Sequence, residues 1–472
     1  DNNNKEPFVN DVPLVFIHGM KGSHLVRKNK KENNNILSSL IGNNNDENVW
    51  LNLPALLNFP PRDDDDPSRS LSLPLTYSTK GGRLTQDRGD LVAEGLVEHI
   101  IDTDFGIELL PFYGPVGDTL HQNHEAGVRP TASFVYDWRR SISEITDEFE
   151  LFCETEFPKQ PVQVLAHSMG GLITFAAMRR NPEKYRPGAV MAGVPFGTGI
   201  QYFQDLHRGY YTELDRCRQF TPPSQFTSSS HWSFFPTENE DDDVFVDVTE
   251  CNEENNKLFE FQPDVSAIGN PGSIFQDTSI ADLDGANAIT DFDFYNVNDW
   301  VQNEVGIFDT SRYDLKERRD YKRHMEIQLQ QAKEFRLRYL TSPKEGEEKT
   351  VAEAMPNLVV CQTNTVPTLN QILRRKSSDN KNKYEYDYVS GRSVPGDGRI
   401  DFAKSFPPNG FQYSTIELDS MHAKQFCWEE QGGSLRRIID AVDEQCDNYK
   451  EEKQQTEKTS TTTATNNKEK TK

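Results

Sequence analysis

The sequence predicts an α/β fold with a mostly parallel central sheet, helices on both faces and an inserted cap, and three observations carry that prediction. Six short, continuous apolar runs have the composition of strands buried on both faces. Helical patterns separate several of them, the rhythm of βαβ units. One run ends in a small-x-Ser-x-Gly turn that opens directly into an apolar helix.

The strand-like runs are Pro13–Ile17 (PLVFI), Ala132–Tyr136 (ASFVY), Val162–Ala166 (VQVLA), Ala189–Gly193 (AVMAG), Leu358–Gln362 (LVVCQ) and Tyr413–Leu418 (YSTIEL). Helices are expected over Asp90–Ile101, Ser143–Glu156, Gly170–Arg180 and Arg312–Tyr339, with a further one over Leu435–Val442. In the fourth, Tyr321, Met325, Leu329, Ala332 and Phe335 form a stripe at helical spacing, which marks a core-packing face. The predicted organisation is a first half of the core over 8–203, with a lid-like insertion over about 28–80, and a cap over 204–311. The core resumes over 312–446, and the Lys/Glu/Thr-rich tail 447–472 lacks the apolar residues to fold. Acidic runs at Asp63–Asp66 and Glu240–Asp243 lack the alternating spacing and the Gly of a calcium loop, so they read as solvated charge.

Composition narrows the function. The chain has 472 residues, with 51 Lys+Arg against 75 Asp+Glu, a net charge of −24. That balance argues against nucleic acid as a partner and against electrostatic docking on anionic lipid. Mean hydropathy is −0.74, low for a globular chain, yet 28 Phe and 16 Tyr still supply a core. No apolar stretch approaches the roughly 18 residues of a spanning helix. Six widely spaced cysteines, with no CxxC and no Cys/His cluster, argue against a structural zinc site, and no metal or cofactor is expected. The first residue is not Met and no signal-peptide pattern follows, as in a fragment or a processed chain. No Asn-x-Ser/Thr acceptor occurs, which leans against a glycosylating secretory route and towards an intracellular setting.

The chemistry centres on Val164-Leu165-Ala166-His167-Ser168-Met169-Gly170-Gly171. A sharp strand–turn–helix elbow lifts the Ser168 hydroxyl above the sheet, where it can serve as a nucleophile. The residues two before and two after it must be small, because the helix runs back beside the strand; Ala166 and Gly170 fit. A serine nucleophile needs a base and an orienting carboxylate, here in the chain order Ser, acid, His. His422, just past the last predicted strand, is the expected base, while His167 should point away from the hydroxyl. Asp397, between two glycines, is the preferred acid and Asp401 its rival. The oxyanion hole is expected from the backbone amides of Met169 and of Met20, the latter in the Gly-rich turn His18-Gly19-Met20-Lys21-Gly22.

Taken together, the sequence resembles the lecithin:cholesterol acyltransferase family, which includes the lysosomal phospholipase A2/acyltransferase. The resemblance rests on the early turn His18–Leu25, Val49-Trp50-Leu51, Tyr136-Asp137-Trp138-Arg139 and Gly193-Val194-Pro195-Phe196-Gly197-Thr198. It continues through Trp232–Pro236, Gly396-Asp397-Gly398 and Met421-His422. It implies an α/β-hydrolase fold with a cap, and transfer of a fatty acyl group from a glycerophospholipid or similar ester to water or another alcohol. It also places a membrane-touching lid segment where this chain has Trp50–Phe59, so Trp50, Leu53 and Leu56 are expected to contact lipid, with packing of the same apolar stretch on the core as the alternative. An esterase acting on a soluble ester, or a non-catalytic binding protein with this fold, are the rival readings.

Overall fold

The computed structural model describes residues 8–28, 47–50, 69–102, 108–197, 199–209, 218–237, 245–248, 286–289, 292–344, 346, 350, 354–376, 384–388, 391 and 393–469. The central sheet has six strands, one for each apolar run: β1 (Leu14–Ile17), β2 (Thr131–Phe134), β3 (Gln163–His167), β4 (Ala189–Ala192), β5 (Leu358–Thr363) and β6 (Ser414–Leu418). Their order is β6-β5-β4-β3-β1-β2 and every neighbouring pair is parallel. From β1 the chain steps outward to β2, then returns to the other side of β1 and proceeds β3 to β6. The direction therefore switches between β1 and β3. In open α/β sheets the crevice beyond the carboxyl ends of the strands at that point is where ligands bind.

Helices α1 (Gly114–Glu125), α2 (Ile142–Glu156), α3 (Met169–Arg180), α4 (Gln201–Arg208), α5 (Leu315–Tyr339) and α6 (Leu435–Glu469) surround the sheet or link it to the cap. Ser141 caps α2 by accepting from the Glu144 amide at 3.3 Å, and Asp314 caps α5 by accepting from the Glu317 amide at 2.8 Å. Helix α3 is apolar all round and buried from Met169 to Met178, as a helix sandwiched in the core must be. The α5 stripe is buried as its spacing predicts.

Three expectations change. Asp90–Ile101 is not a helix: Leu91–Leu96 pairs antiparallel with Ser23–Arg27, and His99–Asp102 pairs with Glu108–Pro111. Gly95 penalises a helix there, and Leu91 is buried while Val92 is exposed, which is strand alternation. The cap also borrows from the second half of the core. Phe245–Val248 pairs with Ile372–Lys376, which pairs in turn with Tyr384–Asp387. Finally, α6 continues to Glu469. Its buried face ends at Cys446, and the Glu/Lys/Gln run beyond it is helical by propensity, without an apolar face to pack.

Trp50 corrects the lid expectation. It is 7% exposed, and its ring packs on Phe220 at 5.0 Å and Trp138 at 6.2 Å between centroids. Its indole N–H donates to the Lys21 carbonyl at 2.9 Å. Trp50 is a core residue and not a lipid-facing one; Leu53 and Leu56 lie outside the described residues. Trp50→Ala is expected to cost about 3–5 kcal/mol of stability, read as a lowered Tm, and to reduce activity on soluble and aggregated substrates alike. An unchanged Tm with selective loss of vesicle binding would restore the lid role.

Candidate active site

The site assembles at the tips of β1 and β3, on the switch point. Ser168 follows β3 and precedes α3 with φ 53° and ψ −125°, a left-handed setting that costs a non-glycine residue about 1–3 kcal/mol. The strain persists because the elbow is held on both sides. The Ser168 amide donates to the Ala192 carbonyl at 2.9 Å. Gly170 lets α3 run back against β1: a Cβ there would lie 2.6 Å from the His18 carbonyl oxygen and 2.7 Å from that of Ile17. Those are backbone atoms and cannot move aside.

His422 opens a short 3-10 turn after β6. Its Nε2 lies 3.0 Å from Ser168 Oγ and its Nδ1 lies 2.7 Å from Asp397 Oδ2. Its amide donates to the Asp397 carbonyl at 2.8 Å, which ties the two loops together by backbone as well. Asp397 is 3% exposed. Its Oδ1 accepts the amides of Arg399 (2.9 Å) and Ile400 (2.7 Å), so the carboxylate is fixed in its loop before the imidazole is counted. The rival Asp401 is engaged elsewhere. Its Oδ1 accepts the Ala403 amide at 2.8 Å, and its Oδ2 accepts from Asn370 at 2.7 Å. Geometry thus brings Ser168, His422 and Asp397 together and leaves Asp401 outside.

The turn after β1 lies against the elbow. A Cβ on Gly19 would sit 2.7 Å from the Ser168 Cβ. The Gly19 amide donates to the Tyr113 hydroxyl at 2.9 Å, and that hydroxyl in turn bonds His167 Nδ1. Met20 is the next residue of this turn and is partly buried. Met169 is the first residue of α3, where an N–H has no intrahelical acceptor. His18 is structural: its ring stacks on Tyr136 at 4.1 Å, and its Nδ1 donates to the Gly19 carbonyl at 2.7 Å. Burial pushes its pKa down to about 4, so the ring is neutral. His167 is also neutral, held well below the ordinary value by burial and by the neighbouring His422 ring.

The motif Tyr136-Asp137-Trp138-Arg139 braces this turn. The Tyr136 hydroxyl donates to the His18 carbonyl at 2.6 Å. Arg139 grips Asp137 through two nitrogens, at 2.9 and 2.8 Å, and holds the carboxyl below its usual range although burial alone would push it up. Gly193 of the later motif sits beside the base. With φ 59° it adopts a conformation that favours glycine, and a Cβ there would come within 2.9 Å of His422 Nδ1. Sequence reasoning missed Tyr113 and Gln425, both of which reach this site. A Tyr before Gly-Pro and a Gln three residues after a His carry no local signature.

Among the described residues no group of His, Cys, Asp and Glu is arranged to hold a metal ion, and no helix is long and apolar enough to cross a membrane. Cys153, Cys361, Cys427 and Cys446 are free and buried. Cys217 and Cys251 lie outside the described residues.

Six parallel strands, a serine on a strained elbow after the third, and an imidazole delivered from the loop after the sixth define an α/β-hydrolase fold. A family model described as serine aminopeptidase, S33, matches residues 126–243, which include the elbow but neither Asp397 nor His422. No curated protein matches the chain. Among solved structures, a chain in the crystal structure of the Tle4–Tli4 complex is similar with a TM-score of 0.46 at 10% identity, over 92% of this chain and 98% of that one.

Proposed function

We propose that this protein is a serine-dependent lipid acyl hydrolase or O-acyltransferase that works through an acyl-enzyme on Ser168. The observation that carries the reading is the continuous hydrogen-bonded line from Ser168 Oγ through His422 to Asp397. Ser168 Oγ attacks the ester carbonyl as His422 Nε2 takes its proton. The amides of Met20 and Met169 receive the oxyanion. Collapse expels the alcohol, which leaves with the proton from His422, and the acyl group stays on Ser168. Water or an alcohol, deprotonated by the same imidazole, then releases it. Asp397 holds His422 with Nδ1–H towards the carboxylate, so that Nε2 is free to accept.

The lipid half of the proposal rests on the sequence resemblance, whose two most specific motifs converge on this site: Tyr136–Arg139 beneath the oxyanion turn and Gly193 beside His422. The cap's aromatic residues do not add to it. Trp300 is fully buried, edge-on to Phe226, Trp232 and Phe235 with centroids 5.5–6.0 Å away, so these rings are used in the cap's own core.

A fluorophosphonate probe is expected to label the wild-type protein and not Ser168→Ala; labelling that survives the substitution overturns the nucleophile. Incubation with phosphatidylcholine vesicles, with and without a long-chain alcohol, is expected to release fatty acid and, with the alcohol, its ester. Turnover of a short soluble ester without any vesicle product would select the soluble-ester esterase. Turnover confined to an aminoacyl amide would select a peptidase of the kind the matching family's description names.

A further inference from the structure

One buried side chain touches the acid of this site without belonging to the Ser168, His422, Asp397 line. Gln425 is fully buried, and its Nε2 lies 3.2 Å from Asp397 Oδ2, the same oxygen that faces His422 Nδ1 at 2.7 Å. With the Arg399 and Ile400 amides on Oδ1, the carboxylate thus has four donors, two on each oxygen. That number matters for chemistry. When His422 becomes an imidazolium, Asp397 must face it as a carboxylate to stabilise it, and a donor on Oδ2 holds that oxygen in place to do so.

The other end of Gln425 has an equally specific neighbour. Its Oε1 is buried without a hydrogen-bond partner among the described residues, and so is Nε2 of His167. The tautomer of His167 follows from Tyr113. That hydroxyl accepts the Gly19 amide and, among the described residues, has no acceptor for its own hydrogen other than His167 Nδ1, which places the imidazole proton on Nε2. This buried donor and buried acceptor stand beside each other just outside full hydrogen-bond geometry, and the Gln425 side chain and the His422 carbonyl are the acceptors bearing on that ring among the described residues. A buried donor or acceptor left unpaired is costly, so a small approach that joins them is favoured.

We propose that Gln425 is a positioning residue for the triad: His167 Nε2–H engages its Oε1 and thereby aims its amide N–H at Asp397 Oδ2. The result is a single chain of hydrogen bonds, Gly19 to Tyr113 to His167 to Gln425 to Asp397 to His422 to Ser168. It connects the oxyanion turn to the acid and fixes the carboxylate rotamer that His422 reads. Asn would be one methylene too short to span both neighbours, and an apolar side chain would leave Asp397 with three donors. The proposal rests on the acyl-enzyme reading of Ser168.

The test uses the full chain. Gln425→Met keeps length and removes the donor. It is expected to lower kcat on a soluble p-nitrophenyl ester about 10- to 100-fold with KM unchanged, and to slow fluorophosphonate labelling of Ser168 by a similar factor. In an Asp397→Asn background the same change is expected to cost less than about 2-fold, because the charge it serves is gone. If Gln425→Met does not fold, His167→Gln tests the link from the other end, with an expected 3- to 10-fold loss in kcat at constant KM, roughly the weight of one neutral hydrogen bond. Wild-type kcat in the folded variants, or a loss that multiplies with Asp397→Asn as a purely structural defect would, overturns the positioning role alone. Probe labelling of Ser168→Ala overturns the acyl-enzyme reading instead, so the two failures are distinct.

Discussion

Asp397→Asn is expected to lower kcat by about four orders of magnitude, while Asp401→Asn leaves it within a factor of about three. The two residues lie in the same loop and differ in what their oxygens do. With Oδ1 still held by the Arg399 and Ile400 amides, an amide at 397 turns its N–H towards His422 Nδ1. That favours the tautomer whose proton sits on Nε2, where it faces Ser168 Oγ at 3.0 Å and cannot accept. The Oδ1 contacts to Arg399 and Ile400 survive the change, so the loop stays in place and the loss falls on chemistry. An amide at 401 still caps Ala403 through Oδ1 and gives up the charged acceptor for Asn370, a matter of about 1 kcal/mol in stability. Measuring kcat and Tm for both variants decides it. Asp401→Asn being the more damaging at unchanged Tm would reassign the acid.

The contrast between those neighbours shows how far residue type alone encodes the site. The four inner strands β1, β3, β4 and β5 are legible as continuous apolar runs, because a parallel strand covered on both faces has no polar position to interrupt it, while the edge strands β2 and β6 are partly exposed and carry Ser, Thr or Glu. The elbow is legible for a related reason: Gly170 must be small because it meets backbone, and so the constraint is written in residue type. Asp397 is favoured over Asp401 by its flanking glycines, and the geometry agrees, yet Gly398 at φ 89° is only a hint of the turn that aims the carboxylate. Trp50 misleads because an apolar stretch between polar linkers reads alike whether it meets lipid or a core. Its partners, Trp138 and Phe220, lie 88 and 170 positions away, and no local pattern encodes that contact. Tyr113 and Gln425 are invisible on the same account: each matters through one polar atom meeting a residue distant in sequence, without periodicity or motif.

The fold is expected to lose stability steeply as pH falls from 7 to 4, through histidines that take no part in the proposed chemistry. Burial pushes His18 down to about 4 and both His231 and His324 to about 3, from an ordinary value of 6.5. Among the described residues no carboxylate offsets the loss of water at these rings. His18 lies against Tyr136 and Tyr113, and His231 against the Gln225 carbonyl with Lys21 nearby. His324 accepts from the Tyr77 hydroxyl at 2.6 Å. A group whose folded pKa is depressed binds its proton first in the unfolded chain. Below pH 6.5 each such histidine therefore favours unfolding, by about 1.4 kcal/mol per pH unit, until its folded value is reached. Three acting together give on the order of 4 kcal/mol per unit, against a total stability typically of about 5–15 kcal/mol. Asp137, held low by Arg139, adds acid sensitivity only in the carboxylate range further down. Tm is thus expected to be flat above pH 7 and to fall continuously below about 6.5, and His324→Gln, which keeps an acceptor for Tyr77, is expected to flatten that slope by about 1.4 kcal/mol per pH unit, the share of one such ring. A Tm that holds constant from pH 7 to pH 5 would show that these rings find proton-stabilising partners on opening. It would also remove the physical objection to work at acidic pH; a steep loss confines activity to near-neutral pH whatever ester the site accepts.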